Sequence, residues 1–335
     1  MKHLVLPLLI LGCAEPIEHA QVEQALGCSY IWCGMNSSKL GDIYTHEFRL
    51  DGEPTDAGFS IAKVVKENEI YQLVVENGQF VLHGETTTLT DEDVNGAMIT
   101  VNHVDGSEYW IHIGNSQLTP YWVNAAAELR TYELSWTRLQ GGSPKGEWQN
   151  VCTNPPDKTV DTFAMNGHSA VVFEGDRIDG ATKTVGDPDT NYFNIGCAGH
   201  ALAKMALTGH SYPGVKPASI KTTVEQRQTF LKMVTADYCG DGTPFTVPGT
   251  SLDWASEQAW LPYFYAEGRL EARWTKAGVS CIDTLRLEPK NPTGGGIFPG
   301  GVLEAVDDHC GLPPQCQNAE REIFDGHYLV SAIPY

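Results

Sequence analysis

Alternating apolar and polar positions, punctuated by turn residues, dominate the first half of the chain and predict antiparallel β structure. Ile70 to Glu76 and Gln79 to Gly84 are β-rich stretches around Asn77-Gly78, a pair that accepts positive φ at both turn positions and so marks a hairpin. Ala97 to Val104 and Ser107 to Ile113 repeat the device around Asp105-Gly106, with Met98, Thr100 and Asn102 alternating against Ile99, Val101 and His103 as in a half-buried strand. Further strands are expected at Ile43 to Leu50, Phe59 to Val65 and Arg130 to Trp136. The period then changes. Cys197 to Leu207 places Ala198, Leu202, Met205 and Ala206 at helical spacing with Gly209 as a stop. A second helix is expected from about Val224 to Ala236, opened by the capping-box spacing of Thr222 and Glu225 and carrying Phe230, Leu231 and Val234 on its apolar face. Strands return at Arg269 to Thr275 and Cys281 to Leu287, glycine and proline mark Glu288 to Gly301 as a loop, and Tyr328 to Ile333 closes the chain as a strand. The fold class is α+β and β-rich: antiparallel hairpins and sheet with two main helices.

The N-terminus breaks this pattern. Lys2, the apolar run Leu4 to Leu11, Gly12 and Cys13 resemble a bacterial lipoprotein export signal ending in a lipobox, in which acyl chains attach to the cysteine. Residues 1–12 are therefore expected to be a signal peptide and 13–40 the lipid attachment site and tether. The run is too short to span a bilayer, where ~18 apolar residues are needed, so attachment is expected through lipid at Cys13. This places the protein in the cell envelope, with Ala14 compatible with the outer membrane. No later motif identifies a reaction or ligand with comparable force.

Composition narrows the partners. A hydrophobic fraction of 41% with 8 Trp, 13 Tyr and 11 Phe is ample for a packed core, and the net charge of −20 opposes binding to nucleic acid or anionic headgroups. With Cys13 set aside, Cys28, Cys33, Cys152, Cys197, Cys239, Cys281, Cys310 and Cys316 remain, and an even number in an exported chain predicts disulfides. Eight cysteines allow on the order of a hundred pairings. Two short loops, Cys28 with Cys33 and Cys310 with Cys316, are sterically open; Cys197 with Cys239 and Cys152 with Cys281 are then what is left.

The tract Ala236-Asp237-Tyr238-Cys239-Gly240-Asp241-Gly242 resembles the signature of the ADYC domain, a family of secreted and lipoprotein sequences found largely in myxobacteria and related soil bacteria. Trp148 to Cys152 is similar to the family's tryptophan-to-cysteine element, Ser169 to Gly180 to its strand and turn, Phe193 to Met205 to its helix, and Glu271 to Arg286 to its tryptophan strand followed by glycine, cysteine and arginine. The resemblance covers Arg130 to Leu287, after a β-rich region at 41–140 and before a Gly/Pro-rich loop and C-terminal segment at 288–335. Where that helix commonly ends Ala-Lys-Cys, this chain has Met205, so one usual disulfide partner is missing. The resemblance implies no activity and no cofactor.

Four sets of residues are candidates for chemistry or binding. Cys197 at an expected helix start, with His168, His200 or His210 as base, has the ingredients of a cysteine nucleophile, because a helix dipole lowers a thiol pKa; cysteine parity favours a disulfide instead. Asp237 with Asp241, and Asp187 with Asp189 and Asn191, offer oxygens to calcium but lack the EF-hand pattern, so turns are the simpler reading. His309, Cys310 and Cys316 lack the second ligand pair of a zinc site. Trp254, Trp260, Tyr263, Phe264 and Tyr265, with Pro262, form an aromatic cluster that is core if buried and a stacking surface for sugars or apolar partners if exposed. The expected role is therefore a lipid-anchored module that binds a glycan, peptide or protein, with a cysteine hydrolase and a calcium-dependent adhesin as alternatives.

Overall fold

The computed structural model describes residues 35–122, 124–153, 165, 168–212, 221–246, 252–256, 269–286, 302–317 and 328–333. The export signal, Cys13, Cys28, Cys33, the loop Glu288 to Gly301 and the aromatic residues Trp260, Pro262, Tyr263, Phe264 and Tyr265 lie outside the described residues.

The chain forms strands β1 (Lys39–Leu40), β2 (Ile43–Tyr44), β3 (Glu47–Arg49), β4 (Phe59–Lys66), β5 (Glu69–Glu76), β6 (Gln79–His83), β7 (Thr88–Leu89), β8 (Met98–His103), β9 (Glu108–Tyr121), β10 (Asn124–Gln140) and β11 (Ser143–Asn150). After these come β12 (Ser169–Gly175), β13 (Ile178–Asp179), β14 (Thr184–Val185) and β15 (Asp189–Cys197), then helices α1 (Ala201–Leu207) and α2 (Val224–Thr235). Strands β16 (Asp253–Ser256), β17 (Arg269–Thr275) and β18 (Gly278–Ile282), helix α3 (Val302–Cys310) and strand β19 (Leu329–Ile333) complete it. The β-rich, antiparallel character expected from the alternation is shown.

One 11-stranded sheet runs in the order β3-β15-β12-β10-β9-β8-β4-β5-β6-β7, with β11 added to β10. It curls so that the β5–β6 turn meets β12: the amides of Asn77 and Gly78 donate to the Glu174 carboxylate at 2.9 and 3.1 Å. Phe48, Phe59, Phe80, Tyr109, Tyr132 and Phe193 fill the concave side. On the other side Val171 and Phe173 of β12 belong to a second core beneath α1, which packs on α2, and α2 in turn packs on a 4-stranded sheet ordered β16-β19-β17-β18. Helices thus lie between two sheets, each burying the apolar face that its neighbour leaves open. No helix among the described residues is long and apolar enough to cross a membrane.

Several boundaries differ from the sequence expectation for local reasons. Cys197 ends strand β15 rather than starting a helix, because it pairs with Ala170 in the ladder and its amide donates to Asn36 Oδ1 at 2.9 Å; Gly199, at φ +81°, then turns the chain into α1. The capping box of α2 uses Thr223 and Gln226, one residue beyond Thr222 and Glu225. Asp187 to Asn191, expected as a turn, leads into β15, with Asp189 accepting from the Asn191 amide at 2.9 Å. Strand β18 begins at Gly278, ahead of the expected Cys281. Helix α3 lies in the stretch read as loop and C-terminal segment; its only deeply buried residues, Val302 and Val306, give a single apolar pair. Strand β11 was also unread, since all eight of its residues are exposed and carry no alternation.

Candidate functional site

The signature tract begins where α2 ends. Ala236 takes the left-handed conformation, φ +51°, that terminates the helix, so Asp237 turns back beneath it. Asp237 is fully buried; its Oδ2 accepts from Lys232 Nζ at 2.6 Å and from the Gly242 amide at 2.8 Å. Lys232 spends its other two protons on Thr182 O at 2.8 Å and Gly240 O at 2.9 Å, while Lys183 Nζ donates to Gly242 O. Burial raises the Asp237 carboxyl, opposed by Lys232, and lowers Lys183 to about 8, opposed by Asp237. One carboxylate and two lysines therefore clamp the loop through its own backbone.

Tyr238 points the other way, into the layer between α2 and the small sheet. Its ring stacks on Trp274 with centroids 5.4 Å apart, and its hydroxyl donates to Glu271. Glu271 is held in turn by Arg286 Nε at 2.6 Å and Nη2 at 3.0 Å, and Arg286 Nη2 also donates to Met233 O at 2.7 Å. All three side chains are buried. Burial, with the charge of Glu271, pushes the Tyr238 hydroxyl well above its ordinary value. Cys239 is bonded to Cys310 on α3, and Asp241 accepts from His309 Nε2 of the same helix at 2.7 Å. Gly240 has φ +77°, and a Cβ there would stand 1.9 Å from Ala277 O, so the close approach of the β17–β18 turn demands glycine.

Every residue of the tract from Asp237 to Gly242 is thus committed to a structural contact. Sequence reasoning found the tract but missed its partners Lys183, Lys232, Glu271 and Arg286. The available signal was charge inside a strand: Glu271 and Arg273 alternate with Leu270, Ala272 and Trp274, and both charged side chains are buried.

The remaining candidates separate in space. Cys197 is joined to Cys152, and both are fully buried. Its sulfur is bonded at the end of β15, three residues ahead of the N-cap of α1, so the disulfide that cysteine parity favours is present and the activated-thiol alternative is not. His200 is the N-cap of α1 and buried, which lowers its pKa to about 4. His210 is stacked on Phe230 at 4.2 Å and edge-on to Trp254, and His168 is exposed. The other disulfides are Cys239–Cys310 and Cys281–Cys316. Cys310 with Cys316, Cys197 with Cys239 and Cys152 with Cys281 are therefore not the pairs; α3 sets Cys310 and Cys316 against different partners. That also removes both thiols from the zinc candidate. Asp237 faces Lys232 inside while Asp241 faces His309 outside, so the two do not converge on a calcium site. Trp254 is core.

Burial of His210 has a consequence for acid stability. Desolvation lowers its pKa from 6.5 to about 3, against a hydrogen bond with Thr208 that raises it. The unfolded chain binds this proton first, so the contribution is fully present above pH 6.5 and lost as pH falls toward 3. Between pH 6.5 and 4.5, urea unfolding should show wild type losing about 2 kcal/mol more stability than His210→Phe. Parallel stability curves for the two would show that His210 titrates normally.

No curated protein and no solved structure matches the chain. The family model of the ADYC domain matches residues 91–288, more than half of the 335 residues; it begins ahead of the expected Arg130 and takes in β8, β9 and β10, which form a continuous meander in the large sheet. The matched segment contains the tract and each of the buried partners described above, and the chain belongs to the ADYC domain family.

Proposed function

We propose that this protein is a lipid-anchored cell-envelope protein that carries out no catalysis itself and presents a disulfide-stapled, β-rich body to a glycan, peptide or protein partner. The observation that carries the reading is the Cys152–Cys197 bond: the cysteine best placed for nucleophilic chemistry is fully buried and already paired. All six cysteines among the described residues are in disulfides, in keeping with an oxidising compartment. The lipobox at Cys13 supplies the anchor in this reading, and the polar stretch after it the tether.

Alkylation of the native, unreduced protein with iodoacetamide, mapped by peptide mass spectrometry, tests it. The expected outcome is no label on Cys152, Cys197, Cys239, Cys281, Cys310 or Cys316, and recovery of a linked Cys152–Cys197 peptide. Rapid labelling of Cys197 near neutral pH overturns the non-catalytic reading. The anchor is tested separately: Cys13→Ala should abolish labelling by radioactive palmitate and release the protein from membranes, and retention of the label overturns it.

A further inference from the structure

Among the described residues, one large aromatic side chain stands well out in solvent. Trp148, 43% exposed, lies on β11 and meets His112 of β9 edge-on, with centroids 5.9 Å apart, across the intervening strand β10. The register extends this patch. Met98, His112 and Ser135 form one partly exposed row across β8, β9 and β10, and Thr100, Trp110 and Thr137 form the next, in which Trp110 is half-buried and the two threonines are buried. Because Tyr109, Ile111 and Ile113 point into the core, Trp110 and His112 occupy the convex, outer face. Both are half-buried, so the platform consists of the exposed indole braced edge-on by His112, with Trp110 two residues along the same face of β9.

We propose that this face binds a neutral oligosaccharide, stacking the C–H face of a sugar ring on Trp148. The proposal rests on the binding-module reading and gives it a ligand class. Three observations select the occupant. Across β8, β9 and β10 the two rows hold only uncharged groups at neutral pH, since burial lowers His112 further from its charged form, with Lys63 of β4 beyond Thr100 at the end of one row, and the chain as a whole carries −20. A polyanion is therefore repelled, and no charge at the centre of the patch calls for a cationic one. An extended peptide adding to the edge of β11 meets Pro144, which lacks an amide proton, Lys145, and Gly146 at φ +98°, all devices that block strand pairing. A folded protein needs roughly 800 Å² per partner, far more than one half-exposed indole supplies, whereas a single sugar ring matches it in size.

The test is calorimetric titration of the full chain, in a detergent without a sugar headgroup, with cellohexaose, chitohexaose and xylohexaose. At least one is expected to bind, with Trp148→Ala weakening it by about tenfold or more and Leu118→Ala, an exposed residue farther along β9, leaving it unchanged. Trp148 sits on β11, none of whose residues is buried, so its removal leaves the fold intact, which equal thermal midpoints verify. Absence of binding to all three sugars overturns the proposal, as does binding that Trp148→Ala leaves unaltered. A dimer seen by sedimentation in wild type and lost in Trp148→Ala overturns it in favour of self-association. None of these outcomes bears on Cys197, so failure here with an unreactive Cys197 removes the sugar and leaves the binding-module reading standing.

Discussion

Glu271→Gln is expected to destabilise the protein by about 3–5 kcal/mol, measured as a fall in the urea midpoint at unchanged slope. The cause is electrostatic. Arg286 is buried and draws its countercharge from Glu271 through two hydrogen bonds, while Tyr238 uses the same carboxylate. Glutamine is nearly isosteric, so the cavity is unchanged, but it removes the negative charge and turns an amide donor toward a guanidinium that only donates. The stranded cation cannot reach water without opening the layer between α2 and β17. Tyr238→Phe, which leaves the ion pair intact, should cost only about 1–2 kcal/mol. Replacing both ions, as in Glu271→Leu with Arg286→Met, should recover part of the loss, because the penalty lies in an unpaired buried charge. Recovery stays incomplete, since Met233 O loses its donor. A Glu271→Gln protein within about 1 kcal/mol of wild type would show that water reaches Arg286, and the account of the tract as a buried network would fail.

This network explains why a short tract can mark a family. Its left-handed alanine, its aspartate, its tyrosine, its cysteine and its two glycines each engage a different partner: the end of α2, the Lys183 and Lys232 pair, Glu271 on β17, Cys310 on α3, and, for Gly240 and Gly242, the β17–β18 turn and the Ala181–Thr182 backbone. Substituting any one disturbs a separate contact at the point where helices and small sheet meet.

The parts of the fold legible in the sequence are those with local signals. Asn77-Gly78 adopts φ +54° and +74° as the pair predicts, and β17 spans the expected Arg269–Thr275. The β4–β5 turn was silent because Glu67 and Asn68 supply its positive φ without glycine. Strands β9 and β10 run well beyond their alternating cores, through bulges at Asn124/Glu128 and Tyr132/Leu134 that interrupt the period of two. At the site, the tract was legible and its purpose was not. Asp237 and Lys232 lie five residues apart, yet Tyr238 and Glu271 are joined only by tertiary packing, and so are the cysteines. Pairing across 45, 71 and 35 residues is set by where the sheets bring the chain, which spacing does not encode.

The double substitution Cys152→Ala with Cys197→Ala is expected to cost about 4 kcal/mol, the loop-closure entropy that a cross-link spanning 45 residues removes from the unfolded chain. Removing both cysteines leaves no odd thiol to exchange with the other disulfides. The position of this bond gives the loss a particular meaning. Residues 35–38 enter the fold beside it: Asn36 Nδ2 donates to Ile195 O at 2.6 Å, its Oδ1 accepts from the Cys197 amide, and Ser38 bridges to Cys152. The disulfide thus joins the two strand ends between which the N-terminal segment is clasped. If the chain is anchored at Cys13, any pull on the tether arrives there first. Limited proteolysis of the double variant should cut near residues 35–38 at a urea concentration that leaves the wild type intact, with the body from β4 onward released later. Simultaneous loss of both regions, at a midpoint matching wild type, would mean that the bond neither stabilises the fold nor guards its entry. Reduction offers a control on the same logic. Cys310 is exposed, so a dithiol should open Cys239–Cys310 in the native state, while Cys152–Cys197, with no exposed surface, should resist until the sheet unfolds.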